Sequence, residues 1–121
     1  MSRIHHIQHK GQQILVLDLS GIDNPEDSLG PVGQMLEAVR SEPEGSVLTL
    51  TDVTGTAFDE KLATALWELL KANKKHVRAG AVVGVTSDAQ RDLFDLVTHQ
   101  ARRDLELFDD AELAKDWLVE Q

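Results

Sequence analysis

Short runs of β-strand character alternate with longer segments of helical periodicity along the whole chain. Most of the short runs concentrate Ile, Leu and Val, as buried strands do, and the longer segments carry apolar residues three and four positions apart, as amphipathic helices do. The predicted strands are Ile4–His9, Gln13–Leu19, Ser46–Thr51, Arg78–Val85 and Asp104–Phe108, and the predicted helices are Pro31–Arg40, Phe58–Asn73, Ala89–Arg102 and Ala111–Glu120.

This order of elements predicts the fold class. Strands that alternate with helices are joined by right-handed crossovers, which make neighbouring strands parallel. The first two strands are the exception, because the tight turn at 10–12 would join them as an antiparallel hairpin. We therefore expect one α/β domain over residues 1–121, with a mixed, mostly parallel sheet of about five strands and about four helices. Helices would cover both faces if the crossovers alternate sides, and helical structure could begin as early as Pro25.

Charge and composition exclude several classes of function. Twelve Lys and Arg against 21 Asp and Glu give a net charge of −9, which repels nucleic acid phosphates and anionic lipids. The chain has no cysteine, so disulfides and thiolate chemistry are excluded. No apolar run reaches the roughly 20 residues of a membrane span, and the first residues do not resemble a secretory signal. We expect a cytoplasmic protein that binds no nucleic acid.

Candidate catalytic residues are few. Asp18, Asp52 and Asp59 lie near predicted strand ends, where clefts form in α/β proteins, and two such carboxylates could carry out acid–base chemistry. That reading requires a cleft and a carboxyl group with a raised pKa. Asp52 is explained equally well as a turn residue. Because no nucleophile motif or partner histidine accompanies these residues, we expect no enzymatic activity.

The histidines near the start of the chain do not form a convincing metal site. His5 and His6 would face opposite sides of a strand, and His5 and His9 would lie about 13 Å apart. Zinc needs three or four converging ligands. We therefore predict neither a metal ion nor another cofactor.

Small and capping residues surround the fourth predicted strand. Gly80 and Gly84 lie within the run RAGAVVGV, where small side chains would allow a helix to pack closely on the sheet. They do not form a phosphate loop, since no Gly-Lys-Ser/Thr sequence follows. The residues at 86–88 (Thr-Ser-Asp) predict a helix N-cap, with anion binding through free backbone N–H groups as the alternative.

Three segments resemble the STAS and SpoIIAA-like group of domains. They are VLTLTDVTGTAFDEKLATAL (Val47–Leu66), VVGVTSDAQRDLFDLV (Val82–Val97) and LELFDDAELAKDWL (Leu105–Leu118). The resemblance is a pattern of elements and apolar positions rather than a catalytic signature. It implies a SpoIIAA-like fold more firmly than it implies an activity.

The resemblance also bears on phosphorylation. Antagonists of anti-sigma factors in this group are switched at a serine that follows an aspartate at a helix start. Asp59 matches that aspartate, but Glu60 occupies the serine position and Lys61 follows it. The resemblance therefore implies no serine switch at this position. Glu60 could mimic the modified state, although a carboxylate carries less charge than a phosphate; alternatively, Asp59 and Glu60 only favour the helix N-terminus.

These observations favour a non-enzymatic regulatory or protein-interaction module with an unidentified protein partner; a homodimer is a further option. Trp67 lies at the edge of the apolar stripe of its helix, where it could anchor a partner or be covered by a neighbouring helix. The candidate partner-binding residues are Asp52, Thr54, Asp59, Glu60, Lys61 and Trp67.

The alternative function is that of a small-ligand or lipid carrier, since SpoIIAA-like domains are similar in fold to SEC14-type domains. A carrier would need an internal apolar cavity of roughly 300 Å³ or more.

Overall fold

The computed structural model describes residues 3–101 and 105–121. Its elements are β1 (Ile4–His9), β2 (Gln12–Asp18), α1 (Leu29–Arg40), β3 (Val47–Asp52), α2 (Glu60–Asn73), β4 (Val77–Val83), α3 (Asp88–Ala101), β5 (Glu106–Phe108) and α4 (Ala111–Val119). Each predicted strand and helix is present, and the described ends differ from the predicted ones by at most two residues. Arg102 and Asp104, which the sequence assigned to a helix end and a strand start, lie outside the described residues.

A two-residue turn joins β1 to β2. Lys10 and Gly11 have φ angles of 50° and 81°, the left-handed conformation that a type I′ hairpin turn requires at both of its central positions. The strands pair in antiparallel register from Ile4 opposite Leu17 to His9 opposite Gln12. The predicted hairpin is confirmed.

The five strands lie in the sheet in their chain order, and β2 to β5 are parallel to their neighbours. The predicted mixed, mostly parallel sheet is therefore confirmed. Each new strand is added on the same side of the previous one, so right-handed crossovers carry every connecting helix to the same face. Accordingly, α1 packs on α2 and α2 on α3, whereas α4 packs on β3 and β4. The suggestion that the crossovers alternate sides is wrong for this reason.

Both faces of the sheet are covered, so the central strands are apolar on both sides. In β2, Leu15 and Leu17 belong to the core beneath α1, α2 and α3, whereas Ile14 and Val16 belong to the core beneath α4. All four are buried, as expected for a strand between two layers of helix. No helix in the described part of the chain is both long enough and apolar enough to cross a membrane.

A short 3-10 helix (Pro25–Ser28) leads directly into α1. The Asn24 side chain caps it, accepting a hydrogen bond of 3.1 Å from the backbone N–H of Glu26. The helical structure that the sequence placed near Pro25 is therefore present. It contacts α2 and so fixes the start of α1 beside that helix.

Polar contacts attach α4 to the β1–β2 hairpin. The Nε2 atom of His9 lies 2.7 Å from Oδ1 of Asp116, and Nζ of Lys10 lies 3.1 Å from the same oxygen. Gln12 Nε2 donates a hydrogen bond of 2.7 Å to the carbonyl of Val119. The hydrogen bonds from His9 and Lys10 lower the pKa of Asp116, so its carboxylate stabilises the docked helix.

The Asp116 contacts predict a pH-dependent stability. A carboxyl group whose folded pKa is lowered stabilises the fold above its unfolded pKa, and this contribution is lost as the pH falls through the folded value. We expect Asp116→Asn to lower the Tm at pH 7, and the difference from wild type to shrink as the pH falls below the ordinary value of 3.8. Thermal melts from pH 7 to pH 2, followed by circular dichroism, measure this.

Glu112→Gln is the matched control, because Glu112 contacts Lys115 within the same helix at 3.0 Å and does not bridge to the hairpin. A Tm difference for Asp116→Asn that is unchanged at all pH values would contradict the prediction.

Candidate functional site

Two aspartates end neighbouring strands at the carboxyl edge of the sheet. Asp18 of β2 pairs in register with Asp52 of β3. Each carboxylate accepts two hydrogen bonds from the residue two positions on: Asp18 from the backbone N–H (2.9 Å) and hydroxyl (2.5 Å) of Ser20, and Asp52 from those of Thr54 (2.9 and 2.7 Å). The same sequence pattern, Asp-apolar-Ser/Thr-Gly, therefore forms the same turn twice.

The Asp18 carboxyl group is held in its ionised form. Burial raises its pKa, but the hydrogen bonds from the side chain and backbone of Ser20, together with the charge of Arg3, outweigh burial and lower it overall. Arg3 also donates to the carbonyls of Asp18 (3.2 Å) and Ser20 (3.1 Å). An acid–base role requires a shift in the opposite direction, so this geometry supports the turn interpretation of these aspartates.

Gly84 presses directly against the second of these turns. Its φ angle is 91°, and a Cβ atom at this position would lie 2.7 Å or less from Oγ1, N and Cα of Thr54. The prediction that a small residue at Gly84 serves helix packing on the sheet is therefore wrong, since the neighbour it accommodates is a loop. The repeated Asp-apolar-Ser/Thr-Gly pattern at 18–21 and 52–55 was the sequence signal for this edge.

Thr56 and Gln90 connect the three loops at the carboxyl edge. The buried Thr56 hydroxyl donates to the carbonyl of Leu19 at 2.6 Å. Gln90 donates through Nε2 to the Thr56 carbonyl (3.3 Å) and accepts from the Thr86 backbone N–H (3.1 Å). The Ser87 hydroxyl accepts a hydrogen bond from the Gln90 backbone N–H at 3.1 Å, so the predicted cap at 86–88 is confirmed. The loops that follow β2, β3 and β4 are therefore joined to one another by hydrogen bonds at this edge.

Asp59 is the N-cap of α2. Its Oδ1 accepts a hydrogen bond of 2.8 Å from the backbone N–H of Leu62. Glu60 and Lys61 follow in the first turn of the helix and are both exposed. The capping bond supports the interpretation of Asp59 as a helix-start residue. Glu60 and Lys61, which follow it, face solvent.

An open groove of about 510 Å³ lies between the start of α1 and the outer side of α2. It is lined by Leu29, Glu60, Lys61, Thr64, Ala65 and Glu68. Leu29 and Ala65 are half-buried and the other four are exposed, so an apolar floor lies between polar rims. Four of these residues, Leu29, Thr64, Ala65 and Glu68, were not predicted from the sequence. The spacing of Lys61, Thr64, Ala65 and Glu68 on one helix face was visible, but the approach of Leu29 depends on how α1 packs.

Trp67 lies on the other flank of α2. Six residues separate it from Lys61, which corresponds to about 240° around a helix axis. The indole ring is half-buried against the core beneath α1–α3, and Nζ of Lys71 lies 5.0 Å from the ring centroid. Of the predicted partner-binding residues, Glu60 and Lys61 line the groove, whereas Asp52, Thr54 and Trp67 do not.

A cavity of about 30 Å³ lies between the sheet and the helices that cover it. Its lining includes Thr49, Leu69 and Asn73. Asn73 is 2% exposed, and within the described residues its Oδ1 has no hydrogen-bond partner. The cavity has room for about two water molecules at roughly 10–15 Å³ each, which is about a tenth of the roughly 300 Å³ that a small-ligand carrier needs.

The histidines do not come together. Among the residues that the structure describes, no three His, Asp or Glu side chains are arranged to hold a metal ion. His5 and His6 are exposed on β1, and His9 contacts Asp116 of α4. The contact between His9 and α4 could not be foreseen from the local sequence.

The contact between Gly84 and Thr54 predicts a large effect of a small substitution. We expect Gly84→Ala to lower the free energy of unfolding by about 1–3 kcal/mol, because the added methyl group overlaps the Thr54 backbone and must displace the turn. Urea unfolding measures this.

Gly33→Ala is the matched control. Gly33 lies exposed in α1 with open space around it, so this change should stabilise the protein by up to about 1 kcal/mol through helix propensity. A Gly84→Ala protein as stable as wild type would show that the turn is not packed as described.

Comparisons with known proteins bear on the fold. No family model matches the sequence, and no curated protein matches it either. Among solved structures, the chain is similar to an uncharacterized protein from the DUF3478 family with a SpoIIAA-like fold, from Shewanella loihica PV-4. The two chains are 18% identical and superpose with a TM-score of 0.72 over 95% of this chain and 91% of that chain. Likeness at this identity establishes fold and not activity. The chain has a SpoIIAA-like fold.

Proposed function

We propose that this protein is a non-enzymatic interaction module of SpoIIAA-like type that acts in the cytoplasm and binds a protein partner through the surface around α2. The docking surface comprises the turn at Asp52 and Thr54, the helix start at Asp59, Glu60 and Lys61, and the flank that carries Trp67. Glu60 and Lys61 line the groove within this surface.

The groove between α1 and α2 is the observation that carries the proposal. It has a volume of about 510 Å³ and is open to solvent along α2. Its floor is apolar at Leu29 and Ala65, and its rims carry exposed polar groups. Protein interfaces combine these features, with an apolar centre that loses water and a polar rim that sets orientation.

The carboxyl edge of the sheet gives little support for an acid–base enzyme, and the interior cavity gives little support for a small-ligand carrier. Asp18 and Asp52 are each engaged by their own turn residue, and the pKa of Asp18 is lowered, which disfavours a general acid. The cavity beside Asn73 has about 30 Å³, which favours a binding surface over a carrier's internal site.

The helix start also favours an interaction surface that is not switched at the family's serine position. Glu60 stands at that position and is exposed in the first turn of α2, and Asp59 is engaged as the helix cap. Because Glu60 is not a substrate for a serine kinase, a partner meets the same carboxylate at position 60 whether or not a kinase is active.

Site-specific photocrosslinking tests the proposal. A benzophenone amino acid is placed at Thr64, in the groove, or at Lys74, which is exposed at the end of the same helix about 15 Å away at 1.5 Å per residue. We expect a discrete adduct from position 64 in the protein's own cells, none from position 74, and loss of the adduct when Ala65→Trp is added to fill the floor of the groove.

The mass of the adduct separates a second copy of this chain from a different protein. Equal labelling from positions 64 and 74, or none from 64, would contradict the proposal.

A further inference from the structure

Strand β3 carries hydroxyl groups on the face of the sheet that α1, α2 and α3 cover. Thr49 and Thr51 pair in register with Leu15 and Leu17 of β2, and both leucines belong to the core beneath these helices. Leu50, between the two threonines, belongs instead to the core beneath α4. Because side chains alternate between the faces of a sheet, both threonines face the core beneath α1, α2 and α3. Polar atoms therefore lie within an otherwise apolar layer.

Asn73 adds an amide group at the same place. It is the last residue of α2, and it lines the cavity of about 30 Å³ together with Thr49 and Thr51. Asparagine is mostly found exposed in proteins, but Asn73 is only 2% exposed. Within the described residues, its Oδ1 has no hydrogen-bond partner. Because an unbonded amide oxygen is unfavourable in the interior, this atom calls for a hydrogen-bond donor.

The rest of the cavity wall restricts what that donor can be. Apolar side chains from the helices and the sheet form most of it, among them Met35, Leu69 and Val82. No charged side chain lines the cavity among the described residues, so an ion would be buried without a counter-charge, which is highly unfavourable. An apolar molecule would leave Oδ1 of Asn73 without a donor. Water both donates and accepts hydrogen bonds, as hydroxyl and amide groups do.

We propose that this cavity is a hydration site, in which about two ordered water molecules connect Asn73 to the hydroxyl groups of Thr49 and Thr51. The volume of about 30 Å³ accommodates them at roughly 10–15 Å³ each. The amide and the two hydroxyl groups supply the two to four polar partners that a buried water requires. The water molecules join the end of α2 to β3, so they help to fix the helix on the sheet. This inference concerns the interior and does not depend on the proposed partner.

A crystal structure that resolves ordered water tests the inference on the full chain. We expect electron density for water about 2.7–3.2 Å from the side-chain oxygen of Asn73, with a second polar contact to Thr49 or Thr51. A cavity without such density would overturn the inference, and so would an Asn73 amide bonded directly to a threonine hydroxyl group. Density for an organic molecule would overturn it in favour of a small-ligand carrier.

Matched variants make the test in solution, where oxygen-17 magnetic relaxation dispersion counts the water molecules held inside a protein. Asn73→Leu and Thr49→Val replace the polar groups with apolar groups of similar shape. We expect Asn73→Leu to lower the count by about two, and Thr49→Val to lower it as well.

Thr64→Val is the control, because Thr64 is exposed on α2 and does not line this cavity. It should leave the count of internal water molecules unchanged. If Asn73→Leu does not fold, Thr49→Val carries the comparison with the wild type. A count that stays at the wild-type value in the folded cavity variants would overturn the inference.

Discussion

The order of the parallel strands is the constraint on which the rest of the structure depends. Because β2 to β5 follow one another across the sheet, right-handed crossovers place α1, α2 and α3 on a single face. The strand order never reverses among the parallel strands, so the fold lacks the crevice at a reversal point where open α/β sheets bind ligands. The helical layer instead carries an open groove of about 510 Å³ beside α2.

The carboxyl edge of the sheet shows how such a fold uses polar residues without a cleft. The turns that begin at Asp18 and Asp52 bind their own hydroxyl and backbone donors, and Gly84 packs against the second of them. Carboxylates at strand ends can serve catalysis where an α/β fold has a crevice. In this fold the carboxylates of Asp18 and Asp52 stabilise the turns that follow their strands. On the outer side of α2, by contrast, Glu60, Lys61 and Glu68 line an open groove and face solvent.

Local patterns were sufficient to predict the elements but not their packing. The hairpin at Lys10 and Gly11 and the cap at 86–88 follow from turn and capping chemistry within a few residues, and the structure has both. The side of the sheet on which each helix lies depends on strand order, which no single segment encodes. For the same reason the sequence indicated Glu60 and Lys61 but not the approach of Leu29 that makes them part of a groove. It also grouped Trp67 with them, although Trp67 does not line the groove.

The proposed function requires that this chain recognises another polypeptide on its helical face and that its interior cavity of about 30 Å³ holds no organic ligand. Native mass spectrometry of the protein isolated from its own cells, without unfolding, tests this most directly. We expect a chain free of small organic molecules, alone or bound to a protein that Thr64→Trp releases by filling the groove. A small organic molecule that remains bound and is lost on substitution of Asn73, beside the interior cavity, would contradict it.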